Sequence, residues 1–192
     1  MKKNETPTGS ANVLPVYLKN EISAFSISEK KYVLGKITAN AYAKAANLRN
    51  DMESDGEVIP IEKILANQFL ESDLDISKIT VDDIPGRLWL AICTKINSMP
   101  KRTITDAGDG VKCIQFADGG SISVNIEFTG KQIESAKVVA STSRLDYNIC
   151  FISETCLFDG DKRLPSEVAD MPSWVYQLLI SVLYEGLEDG FL

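Results

Sequence analysis

From Met171 to Leu187 the polar stripe consists of Ser173, Gln177, Ser181 and Glu185, one residue in every four. On a helix these four share one narrow edge. Trp174, Val175, Tyr176, Leu178, Leu179, Ile180, Val182, Leu183 and Tyr184 take up the remainder. Such a helix, opened by Met171-Pro172, must be covered on about three sides, either by its own domain or by another protein. Trp174, Leu178, Val182 and Tyr184 are therefore the candidate partner-binding residues, with burial in the chain's own core as the competing expectation.

The rest of the chain divides by periodicity, and the 192 residues suit an α+β protein. Residues 1–12 have no apolar pattern and read as a flexible tail. Residues 13–100 read as a mainly helical subdomain. Val13 to Leu18, broken by Pro15, suits an edge strand or extended lead-in. Ser26 and Glu29 have capping-box spacing, which predicts a long helix from Ile27 to about Glu53. Its stripe of Val33, Ile37, Ala41, Ala45 and Leu48 is mostly small, as close helix packing requires. The acidic segment 51–57 ends it. Shorter helices are expected over Pro60 to Glu71 and over Gly86 to Ser98, the second apolar on nearly every side.

Beyond Pro100 the period shortens to two, which places a subdomain boundary near residues 98–108. Residues 101–192 are expected to hold an antiparallel meander of about four strands followed by the terminal helix. Val111 to Phe116 and Ser121 to Phe128 flank Asp118-Gly119-Gly120 as a hairpin, with Ile122, Val124, Ile126 and Phe128 on one face. Lys131 to Ser141 and Leu145 to Phe158 supply the other two strands, with Cys150 and Cys156 sharing a strand face.

Composition narrows the chemistry. The chain has no histidine, which removes the usual general base and the commonest metal ligand. Phosphate-binding glycine loops and nucleophile elbows are absent too. Cys93, Cys113, Cys150 and Cys156 lack paired C-x-x-C spacing and read as buried free thiols rather than a zinc site. Asp73, Asp75 and Ser77 alternate like a calcium loop, but Lys78 and Ile84 stand where glycine and a bidentate glutamate are needed. Glu154 with Asp159 or Asp161 could form a glycosidase-like pair, although among 27 acidic residues chance pairs abound. A net charge of −7 disfavours nucleic acid as a partner. No stretch reaches the roughly 18 apolar residues of a membrane span, and the start has no signal-peptide core, so a cytoplasmic protein without membrane partners is expected.

Two segments resemble the tail or baseplate assembly proteins of tailed bacteriophages. One runs from Phe158-Asp159-Gly160 through Leu164-Pro165-Ser166-Glu167 to Met171-Pro172-Ser173-Trp174-Val175 and its apolar helix; the other is Phe25 to Lys31. The resemblance implies a non-enzymatic virion or assembly component, in the host cytoplasm or the virion, that contacts other tail subunits. It carries over no catalytic, metal or cofactor residue.

The leading expectation is thus a non-catalytic interaction protein that docks other protein subunits, or further copies of itself, through its terminal helix and an exposed strand edge. An acidic inhibitor or immunity-type protein, using residues 51–57 and 71–83 against a basic surface, is the alternative. A carboxylate-only or metal-dependent enzyme is the third.

Overall fold

Ser28 and Glu29 set the course of the first half. In the computed structural model, which describes residues 16–19, 21–54 and 58–188, both have left-handed backbones, with φ of 49° and 68°. Paired positive φ values make a two-residue turn that matches strand twist. The chain therefore reverses between β1 (Ser23–Ile27) and β2 (Lys30–Leu34), pairing Ile27 with Lys30 and Phe25 with Tyr32. The rings of Phe25 and Tyr32 stack at 5.5 Å.

The helix expected from Ile27 starts only at Ala39, because this hairpin places Ser26 and Glu29 in a strand and its turn. Thr38 begins α1 (Ala39–Ser54) by accepting a hydrogen bond on its Oγ1 from the Ala41 amide at 3.1 Å. The helix α2 (Ile61–Phe69) forms where expected, and β3 (Leu70–Glu71) completes a β1-β2-β3 antiparallel sheet. The helix α3 (Gly86–Ile96) is a correction: Leu88, Ile92 and Ile96 are buried, whereas Leu90 is 68% exposed. It covers the core with one stripe rather than sitting inside it. Val16–Leu18 forms a 3-10 turn instead of a strand, and residues 1–15 and 55–57 lie outside the described residues.

In the second half β4 (Arg102–Asp106), β5 (Val111–Phe116), β6 (Ser121–Asn125) and β7 (Cys156–Phe158) make an antiparallel sheet in that order. The β5–β6 hairpin matches the sequence expectation. The two strands expected over 131–141 and 145–158 are instead the helices α4 (Gly130–Ser143) and α5 (Tyr147–Thr155), with three residues of β7 after them. Local capping explains the difference. Thr129 and Gln132 form a reciprocal capping box, with the Gln132 amide donating to Thr129 Oγ1 at 3.4 Å and the Thr129 amide to Gln132 Oε1 at 2.9 Å. Asp146 caps α5 by accepting from the Asn148 amide at 2.9 Å. Cys150 and Cys156 are consequently on a helix and a strand, both buried, and all four thiols are free.

The helices α6 (Pro165–Asp170) and α7 (Ser173–Glu188) close the chain. Buried side chains form two clusters, one among β2, α2 and α3, the other among the β4–β7 sheet, α5, α6 and α7. The helix α1 contributes to both: Ala39 and Ala43 enter the second, Ala45 the first, and Tyr42 packs against each. Its small side chains permit that close approach. The Ala39 amide donates to the Met171 carbonyl at 2.7 Å and the Ser173 amide to the Ile37 carbonyl at 2.9 Å, tying the two parts together. No helix among the described residues is long and apolar enough to cross a membrane.

Candidate functional site

The terminal helix turns its apolar surface inward. Trp174 is 8% exposed, Leu178 2% and Val182 3%. The Trp174 and Phe116 rings meet edge to face at 5.3 Å, and Phe116 also stacks with Tyr17 at 4.9 Å. The polar edge is occupied as well: Gln177 donates to the Ile96 carbonyl at 3.5 Å and Glu185 pairs with Lys112 of β5. Three of the four candidate docking residues thus pack against the chain's own sheet and helices.

Tyr184, the fourth, is half-buried and engaged in a polar network. Its hydroxyl donates to Asn148 Oδ1 at 3.0 Å, and Asn148 Nδ2 donates to the Tyr176 hydroxyl at 3.0 Å. Tyr176 points its own proton toward Asp146 Oδ1 at 3.4 Å, while Asn47 donates to Asp146 Oδ2 at 3.0 Å. Burial pushes the Tyr176 phenol up to about 12. The network joins α1, α5 and α7 and satisfies polar atoms that packing would otherwise strand.

Several of the acidic groups singled out in the sequence have separate partners. Glu154 accepts from the Ser135 hydroxyl at 2.9 Å and lies 3.6 Å from Lys162 Nζ. Asp159 accepts from the Tyr17 hydroxyl at 2.8 Å and from the Ser121 amide at 2.7 Å. Burial and the Asp159 carboxylate both raise the Tyr17 phenol well above its ordinary range. Asp159 is thus a fastener between the sheet and the N-terminal turn. In the 71–83 segment Asp75 binds Ser77 and Lys78, and Asp83 binds Thr80 at 2.7 Å. Among the described residues no three acidic or thiol side chains converge as a metal ion would require.

Two features, one concave and one open, bear on partner binding. A cleft of about 370 Å³ lies where the two clusters meet, with Lys19, Glu21 and Lys95 among its lining residues. The other is β4, every residue of which is exposed. It pairs with β5 in the register Arg102 to Phe116, Ile104 to Ile114 and Asp106 to Lys112. The Ala107 amide donates to the Val111 carbonyl and the Ala117 amide to the Lys101 carbonyl. Odd-numbered residues therefore face β5, so Arg102, Ile104 and Asp106 direct their amides and carbonyls outward. No described residue pairs with that edge.

The side chains of the same three residues lie on the covered face of the sheet. Ile104 continues the row Ile114, Ile122 and Phe158, all fully buried, yet is itself 42% exposed at the lip of the core. Periodicity reads residues 98–108 as a subdomain boundary and passes over this strand. The signal that could have found it is the β-branched run Thr103-Ile104-Thr105 ahead of Gly108 and Gly110.

No protein-family model, curated protein or solved structure matches the chain.

Proposed function

We propose that this protein is a non-catalytic interaction component that binds a partner protein by strand addition at the outer edge of β4. The supporting observation is that edge: five exposed residues, three with outward amides and carbonyls, and a core isoleucine left at the rim. Strand addition takes affinity from main-chain hydrogen bonds and specificity from alternate side chains, which this edge offers as Arg102, Ile104 and Asp106. The resemblance to phage tail and baseplate assembly proteins supports a role in building a larger protein assembly. Burial of apolar surface at Ile104 supplies the driving force, and the two flanking charges fix the register.

The test is peptide display against the immobilised chain. Selected peptides should protect the amides of Arg102, Ile104 and Asp106 from hydrogen exchange. Ile104→Pro should abolish their binding, because proline removes an outward amide while sparing the bonds to β5. Binding that survives Ile104→Pro would overturn the proposal.

A further inference from the structure

The outer edge of β4, unpaired among the described residues, is complementary to itself. Reading outward residues only, it runs Arg102, Ile104, Asp106, with a cation at one end, an apolar residue in the middle and an anion at the other. An antiparallel copy centred on Ile104 reverses that order, so Arg102 falls opposite Asp106, Ile104 opposite Ile104, and Asp106 opposite Arg102.

Resting on the strand-addition reading above, we infer that the partner at this edge is a second copy of the chain, joined β4 to β4 about a two-fold axis through Ile104. The outward amides and carbonyls of both strands meet in about six main-chain hydrogen bonds, and opposed Cα atoms sit about 5.5 Å apart. The four-stranded sheets of the two copies become one continuous sheet. Because Ile104 lies on the face that carries Ile114 and Ile122, the two isoleucines close a gap at the rim of each core. Thr103 and Thr105 fall opposite one another on the other face, where threonine pairs are favourable.

The charges at the ends are placed to serve this register. Asp106 holds the Gly108 amide with Oδ1 at 2.8 Å, which leaves its second oxygen for a guanidinium. Arg102 makes one long contact, 3.4 Å, to the Pro100 carbonyl and keeps its remaining donors. Directly opposed opposite charges stabilise a strand pair, whereas like charges there destabilise it. A one-residue slip would put inward-facing groups at the interface, and a two-residue slip would place unlike partners, Ile104 against a charge. A closed two-fold contact of this kind stops at two copies.

A single strand pair buries less than the roughly 1,200 Å² of a standard interface, so a weak dimer whose population depends on concentration is expected. The experiment is sedimentation velocity on the full chain from low micromolar to near-millimolar concentration, on the unaltered protein, on Arg102→Asp, on Asp106→Arg, and on an equimolar mixture of the two variants. Each variant alone opposes like charges at both ends of the register and should associate roughly thirtyfold more weakly. In the mixture, a strand with an anion at both ends meets a strand with a cation at both ends. Opposite charges are thereby restored in both positions, and dimers should return. Both side chains are exposed in the single chain, and melting temperature checks that each variant folds.

Dimers that persist in both single variants would place the contact elsewhere and overturn the inference. An unaltered protein that stays monomeric throughout would overturn it as well. In that case display-selected peptides sensitive to Ile104→Pro would leave the strand-addition reading standing, and their absence would remove both. Protection of the β4 amides at every concentration in a monomer would mean that the edge is covered from within the same chain, which also overturns the inference.

Discussion

Replacing Leu178 with alanine separates a core role for α7 from a docking role. Leu178 is 2% exposed on a helix packed against α1, α5 and β6. The substitution removes three carbon atoms from that interior. At about 0.8 kcal/mol per buried methylene the transfer loss is about 2.4 kcal/mol, and the cavity left behind adds to it. The expected cost is about 3 kcal/mol. For a chain of this size each kcal/mol lowers Tm by about 2–4 °C, so calorimetry should record a fall of about 6–12 °C. Leu90→Ala is the control: Leu90 is 68% exposed on α3, and its loss should change stability by no more than about 0.5 kcal/mol. A core role for Leu178 is refuted if Leu178→Ala melts with the unaltered protein, or no lower than Leu90→Ala.

Three further outcomes follow from particular contacts. In a cycle of Tyr17→Phe and Asp159→Ala, the hydroxyl–carboxylate bond should appear as a coupling of about 1 kcal/mol in urea unfolding, reduced by the exposure of Asp159; strict additivity would remove the fastener role. Exchanging Ser28-Glu29 for Asn-Gly should raise Tm by a few degrees, since both positions are left-handed and those residues tolerate that backbone. A helix capped by Ser26 and Glu29 would instead be weakened by the same exchange. Stability should also decline in alkali: burial pushes Cys156 and Tyr176 up to about 12, and Tyr42, Tyr184 and Cys150 rise for the same cause. These groups titrate at about 8.5–10 when unfolded, so above about pH 9 the native chain holds more protons than the unfolded one. The contribution is complete below about pH 8.5 and is lost as pH rises toward about 12. A Tm that stays level or rises between about pH 9 and 11 would contradict the burial of these groups.

The parts legible in the sequence are those whose side chains repeat one decision many times. In α7 every turn restates the same inward face, and in β5–β6 the alternation of Ile122, Ser123, Val124 and Asn125 agrees with a turn at Gly119-Gly120. Gly120 has a further reason to be glycine, because any side chain there would strike the Tyr17 ring. The errors arise where two local signals compete. Ser26 and Glu29 have a helix-start spacing, yet the aromatic pair Phe25–Tyr32 and a left-handed turn hold the hairpin. Val138, Val139, Ile149 and Ile152 favour strands by type, yet caps at Thr129 and Asp146 start helices beneath them. The edge of β4 is illegible for another reason: five exposed residues carry no burial pattern, and only pairing with β5 defines them as a strand.

That difference bears on where a partner can act. A helix as apolar as α7 is the natural first choice for a docking face, but the sheet, α1 and α5 already occupy its surroundings, and exposing it would cost the core its largest layer. The outer edge of β4 is unpaired among the described residues. Its outward amides and carbonyls pair with no strand among the described residues and would exchange water for another strand on the proposed association, so folding and binding would draw on different groups. Substitutions at Arg102 and Asp106 should therefore alter the proposed association more than they alter Tm, whereas those at Trp174, Leu178 and Val182 should alter Tm first. An interaction surface carried by main-chain groups at a sheet edge, such as the one proposed at β4, leaves little trace in hydrophobic periodicity, whereas an apolar helix such as α7 is conspicuous there whether it packs inward or binds a partner.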